Sequence, residues 1–206
     1  MLNGIDVSHY QGNVNWNAVK EAGITFAIAK STGGITYVDP QFQTNWEGIK
    51  SAGLVRGTYH FLYAEDNAQD QANNFLKTVG SLDANDLPPF LDVEITDGAD
   101  GTVITQNVLD WCNAVESALG RKPVIYTNES FGNTYFTDPE FSSYALWVAE
   151  YGVQAPTMPG AWSSQDWTLW QSSQSGTVSG VSGDVDLDSF NGSMTDLTNF
   201  IQGSSS

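Results

Sequence analysis

Through its first 128 residues the chain alternates short runs rich in β-branched and aromatic residues with longer stretches of helical periodicity. No other feature limits the available folds as strongly, because a repeated β/α unit demands parallel strands with helices packed outside them. The strand-like runs are LNGIDVS, ITFAIAKS, LVRGTYHFLY, PPFLDVE and PVIYTN. Between them lie NWNAVKEAG, DPQFQTNWEGIKSAG, DNAQDQANNFLKTVG and TQNVLDWCNAVESALG. The second of these predicts a helix with Asp39 as N-cap, Pro40 at its first position and Gly53 as its stop. The fourth predicts one from Thr105 to a closing Gly120.

After the fifth strand the pattern changes. ALWVAEY, WTLWQSS and DVDLDSF are separated by Gly-, Pro- and Ser-rich segments rather than clear helices, so the last strands connect by loops. The reading is α/β, an irregular TIM-like barrel of parallel type with about five β/α units followed by three strands. Its 206 residues fall short of the roughly 250 of a full (β/α)₈ barrel because the later helices are missing. A doubly wound open sheet is the competing architecture. One domain covers residues 1–202, and the closing GSSS, residues 203–206, reads as the start of a flexible linker or tail.

Composition excludes several functions. Seven basic residues stand against 24 acidic ones, a formal charge of −17 that repels phosphate backbones and anionic lipid, so neither nucleic acid nor a membrane surface is an expected partner. There is no apolar run long enough to span a bilayer, and no basic and apolar leader after Met1, so no signal peptide is expected in this chain. The single Cys112 lies on the apolar face of a helix and reads as core. With two histidines there is no HExxH and no zinc cluster. DVDLD resembles the start of a Ca²⁺ loop but has Ser189 and Thr195 where the loop needs Gly and Glu. Neither a P-loop nor GxSxG occurs, and no metal or organic cofactor is expected.

In a barrel of this kind chemistry gathers at the C-terminal ends of the strands. Those ends carry Asp6, Lys30, Tyr59 with His60, Asp92 with Glu94, Tyr126, Trp147, Glu150 with Tyr151, Gln171, and Asp184 with Asp186. Strand side chains alternate faces, so Asp92 and Glu94 enter the mouth together while Leu91 and Val93 face the helices. Two neighbouring carboxyls in a partly dry site cannot both ionise easily, which leaves one acid and one anion. Glycosidic bond cleavage requires that combination. Tyr59, Tyr126, Trp147, Tyr151 and Trp170 offer ring faces for sugars, and Gln171 and His60 offer hydrogen bonds. Each could equally be barrel core. Lys30 can balance the acids, and His9 reads as peripheral, beside the mouth.

GIDVSHYQGNVNW, AIAKSTGGITYVDPQF, GLVRGTYHF, LDVE, IYTN, LWVAEY, LWQSS and GDVDLDSF, in that order over nearly the whole chain, resemble glycoside hydrolase family 25, the Chalaropsis-type lysozymes of phage endolysins and bacterial wall muramidases. The resemblance implies a barrel of five β/α units and three strands that hydrolyses the β-1,4 bond between N-acetylmuramic acid and N-acetylglucosamine in bacterial peptidoglycan, without a cofactor. It implies Glu94 as general acid and Asp92 as its companion, either attacking the anomeric carbon or steadying the substrate's own acetamido group as that attacks. It places Asp6 and Asp186 in the same mouth. One departure is Gly33, in KSTGG, where the family often has an acid. A non-catalytic glycan-binding module and an N-acetylglucosaminidase acting on the same polymer are the alternatives, and retention of both Asp92 and Glu94 weighs against the first. The expected setting is the bacterial wall, reached as a holin-released phage lysin or a trimmed secreted enzyme. A monomer is expected, with a separate wall-binding domain beyond GSSS as a further expectation, since a −17 chain is not drawn to anionic wall polymers.

Overall fold

The computed structural model describes residues 1–203; the linker expected at residues 203–206 lies outside it beyond Gly203. Five strands are each followed by a helix: β1 (Leu2–Val7) by α1 (Trp16–Glu21), β2 (Phe26–Gly33) by α2 (Phe42–Ser51), β4 (Val55–Phe61) by α3 (Ala68–Val79), β5 (Phe90–Asp92) by α4 (Gly101–Leu119), and β6 (Val124–Asn128) by α5 (Glu129–Tyr135). Three strands come next, β7 (Ala145–Ala149), β8 (Leu169–Gly176) and β9 (Val185–Phe190), then α6 (Met194–Ile201). The two-residue β3 (Tyr37–Val38) folds back antiparallel on Thr32 and Gly33 at the end of β2.

The strand order β1-β9-β8-β7-β6-β5-β4-β2 closes on itself because β1 also pairs with β2, Gly4 opposite Phe26 through Val7 opposite Ala29. Closure rules out the open doubly wound sheet. One expectation needs correcting, because β9 runs antiparallel to both β8 and β1. A strand returning through a short connection without a helical crossover can pair only antiparallel.

Inside the ring pack Phe26, Ile28, Tyr59, Phe90, Val124, Tyr126, Trp147, Leu169 and Phe190, and the second apolar layer lies between the ring and the helices. Small residues make room in the barrel. A side chain on Gly4 would put its Cβ 2.2 Å from the Phe26 ring. The α6 helix was not foreseen; it stops the N-terminal end of the barrel with Leu197 and Ile201. At that end the buried Arg56 grips Asp86 through two bonds of 2.7 and 3.0 Å and reaches Asp83 at 2.9 Å.

Helix starts also shift. The Asp39 carboxylate caps the turn leading into α2, accepting the Gln41 amide at 2.9 Å, but the regular helix begins at Phe42. α4 begins at Gly101, four residues before the expected Thr105, because Asp100 takes the amides of Thr102 and Val103. It ends as expected at Gly120, in the left-handed conformation that glycine adopts freely.

Candidate active site

The carboxyls meet at the C-terminal end of the barrel. β5 is shorter than expected and stops at Asp92, so Glu94 stands just outside the strand. Alternation persists nonetheless: Val93 is fully buried in the helix layer, while Glu94 emerges half-buried on Asp92's side. Across the mouth Asp6 on β1 pairs in register with Asp186 on β9. The same alternation brings a residue the sequence reading passed over, Asp188, to the same face. Asp188 is 3% exposed, and its Oδ1 accepts the indole N–H of Trp147 at 2.9 Å.

Lys30 is the cation of this mouth. A bulge at Ser31 lets two residues of β2 oppose one of β4, keeping Lys30 inward while Thr32 turns out. Its Nζ lies 4.6 Å from the ring centre of Phe61, 5.6 Å from Tyr59 and 5.9 Å from Tyr37. Phe61 and Tyr37 are two further mouth residues that sequence reasoning missed; Phe61 follows Tyr59 at the strand spacing that would have found it.

Burial is the main force on the acids. It raises Asp6, Asp92 and Asp188 well above the ordinary carboxyl range and raises Glu94 as well. Repulsion adds to it, from Glu94 on Asp92 and from Asp188 and Asp186 on Asp6, while Lys30 pulls Asp92 and Glu94 back down. Asp186, nearer solvent, is pushed up to about 6, chiefly by burial. Asp92 Oδ1 is sealed from solvent and has no hydrogen-bond partner among the described residues.

Gln171 ties the two sides together. Its Nε2 donates to Asp6 Oδ2 at 2.7 Å, and its Oε1 accepts the hydroxyls of Tyr126 at 2.9 Å and Tyr151 at 2.6 Å. Tyr126 is the cross-strand neighbour of Asp92, and Tyr151 is 42% exposed, free to present a face to a ligand. Lys30, Tyr59, Tyr126, Tyr151 and Gln171 therefore meet the four expected acids. Trp147 is 2% exposed and packs edge-on to Tyr126 and Phe90, so it supports the mouth from within the barrel.

Two expected contacts lie elsewhere. His60 follows the inward Tyr59 and therefore points outward, stacked on Trp111 between the sheet and the helices. Its Nδ1 meets Thr32 Oγ1 at 2.7 Å, its Nε2 meets Gln71 Oε1 at 3.1 Å, and burial lowers it to about 4, so it is a neutral packing residue. Trp170 likewise packs in the outer layer and donates to the Glu150 carbonyl. His9 does border the mouth: its Nδ1 lies 2.8 Å from Asp39 Oδ2 and 3.2 Å from the Tyr37 hydroxyl, joining the β1–α1 and β2–α2 connections. Gly33 has ordinary room for a Cβ, 3.4 Å from that of Phe61, so packing does not force glycine there.

Comparison with known proteins places the chain in a family. Residues 5–181 match the family described as Glycosyl hydrolases family 25. The chain is 40% identical to Lysozyme M1 of Streptomyces globisporus over 209 residues, 95% of this chain and 70% of that one. It is 31% identical to the N,O-diacetylmuramidase of Chalaropsis sp, covering 90% of this chain and 96% of that one. The crystal structure of the bacterial lysozyme from Streptomyces coelicolor superposes with a TM-score of 0.92 at 36% identity, covering 99% of this chain and 98% of that one.

Proposed function

The chain belongs to glycosyl hydrolase family 25, and from that premise we propose that it is a muramidase using Glu94 and Asp92 to cleave the β-1,4 bond between N-acetylmuramic acid and N-acetylglucosamine in peptidoglycan. Its setting is the bacterial cell wall. Glu94, half-buried and raised, gives its proton to the leaving glycosidic oxygen as the bond to the anomeric carbon breaks. The substrate's 2-acetamido oxygen attacks that carbon, forming a cyclic intermediate, and Asp92 accepts the acetamido N–H and offsets the positive charge. Glu94, now ionised, takes a proton from the water that opens the ring, restoring both groups.

The observation that carries this reading is the Asp92–Glu94 pair: two carboxyls at one barrel end, Asp92 buried and Glu94 half-buried beside it, both raised by burial. A carboxylate held that deep is stabilised by an amide N–H, and the acetamido group can supply one to the Asp92 oxygen that is not sealed. In the empty site the pair's proton favours the deeper Asp92. Bonding to the acetamido group favours its ionised form and returns the proton to Glu94. Direct attack by Asp92 is the second version, and covalent labelling of Asp92 by a fluorinated sugar would establish it.

Lys30 holds the pair's charge in check, and Asp6 and Asp186 form the opposite wall. Tyr126, Tyr151 and Tyr59 frame the sugar. The catalytic unit proposed is residues 1–202, acting as a monomer, since every acid and tyrosine named for the mouth comes from this chain. A formal charge of −17 supports a separate module for adhesion to anionic wall polymers. The test is digestion of purified peptidoglycan followed by borohydride reduction. Muramitol is expected, whereas glucosaminitol would reassign the scissile bond. Glu94→Gln should lower turnover by about 10³-fold or more with the fold and substrate binding retained; turnover near that of the unmodified enzyme would remove Glu94 as the acid.

A further inference from the structure

Asp188 presents an unresolved balance of hydrogen bonds. Its Oδ1 is taken by Trp147, while Oδ2 is sealed from solvent and has no donor among the described residues. β1 and β9 run antiparallel with Gly4 opposite Asp188 and Asp6 opposite Asp186, so Asp6 lies diagonally across from Asp188. The register of β1 and β9 thus brings Asp6 to the same face as Asp186 and Asp188, and both acids feel its carboxyl. Asp186 is half-exposed and water can serve it, which leaves the Asp6 carboxyl as the group able to satisfy Asp188 Oδ2. Asp6 in turn has one oxygen already committed, because Oδ2 accepts Gln171 Nε2–H.

We propose that Asp188 is a positioning residue for the reaction: it and Asp6 hold one proton between them, and by accepting that proton on the side away from Gln171 it fixes the direction of the hydrogen-bond chain that aims Tyr126 and Tyr151. The chain has two polarities. With the proton of Asp6 facing Asp188, Asp6 Oδ2 is an acceptor, the Gln171 amide must donate to it, and Gln171 Oε1 is turned toward the two tyrosine hydroxyls. With the proton facing Gln171, the amide is free to turn over, Nε2–H replaces Oε1 at the tyrosines, and the hydroxyl protons of Tyr126 and Tyr151 lose the acceptor that aims them. The two states differ only in which Asp6 oxygen carries the proton, one O–H bond replacing the other. The groups around the pair are Asp186 on its own strand, Asp92 and Glu94 from the far wall, Lys30 from β2, and Tyr59, Tyr126 and Tyr151, with burial and the neighbouring acids favouring retention of the proton.

This inference deepens the muramidase reading, and its test separates the two. Asp188→Asn keeps the acceptor for Trp147 and puts an N–H toward Asp6, so polarity is preserved without a proton. Asp188→Ala supplies neither. Asp188→Ala should lose about tenfold or more in kcat with little change in KM, and Asp188→Asn should recover most of that loss. Without any substrate, the fall of unfolding free energy as pH rises above about 4 should be shallower in Asp188→Asn by one proton, and the infrared carbonyl band of neutral carboxyl should weaken by one group. An unchanged slope and band in Asp188→Asn overturns the shared proton even if Asp188→Ala fails to fold. Equal kcat losses in Ala and Asn variants overturn the positioning role. Because the slope and the band need no turnover, they stand or fall independently of which bond the enzyme cuts.

Discussion

Replacing Asp186 by Asn should make the protein more stable at pH 8 and leave its stability unchanged at pH 3. Asp186 is raised from 3.8 to about 6, with burial the largest cause and repulsion from Glu94 adding to it. At about 1.36 kcal/mol per pH unit, that displacement corresponds to roughly 3 kcal/mol of unfavourable ionisation in the folded state. Half-exposure lets water screen part of it, so about 1.5 kcal/mol is the working figure. Below about pH 3 the group is protonated folded or unfolded and contributes nothing to the difference. Between about pH 4 and pH 6 the folded chain keeps a proton that the unfolded chain has lost, so stability falls as pH rises, and above that window the whole cost is present. Asn keeps the size and removes the charge. For a domain of this length the gain converts to about 3–6 °C in midpoint at pH 8. Thermal unfolding followed by circular dichroism at the two pH values measures it. An equal change at both, or destabilisation at pH 8, would refute an electrostatic origin.

Lys30→Met removes the cation that holds Asp92 and Glu94 down, so both limbs of the kcat/KM profile should move to higher pH; a profile that stays in place would show that Lys30 does not reach the pair. His60→Ala should cost about 3 kcal/mol or more by leaving a cavity beside Trp111 and stranding Gln71 and Thr32, while kcat per folded molecule is unchanged; lost turnover in fully folded protein would return His60 to the mouth. Gly48→Ala on α2 would ordinarily gain about 1 kcal/mol of helix propensity. Here its Cβ falls 2.2 Å from Trp16 Cδ1 and 2.6 Å from Nε1, so urea unfolding should show a net loss of about 1–3 kcal/mol, and a net gain would mean the two helices part freely.

Much of the fold was legible because the first five strands advertise themselves twice, by β-branched and aromatic runs and by the capped helices after them. Legibility failed where a local signal was weak or a distant partner decided the outcome. The direction of β9 depends on the connection from β8 and on β1, some 180 residues away in sequence. The role of α6 depends on the open end of a barrel that only the assembled sheet creates, although its capping box of Ser193 and Asp196 was readable. α5 is only seven residues long, too short for periodicity to declare it.

The site follows the same division, and strand alternation decides most of it. The rule that put Asp92 and Glu94 on one face also puts Asp186 with Asp188 and Tyr59 with Phe61, and it sends His60 and Trp170 outward. What alternation cannot supply is the cost of gathering so many acids. Five carboxyls share a mouth with Lys30, whereas the opposite end of the barrel holds Lys50, Arg56, Arg121 and Lys122, where Arg56 and Lys50 meet Asp83 and Asp86. The chain places its cations where they secure structure and leaves its acids underneutralised where a substrate enters. That segregation keeps protons on groups which elsewhere would have lost them. It makes the mouth both a source of instability as pH rises and a store of the proton that glycosidic cleavage consumes.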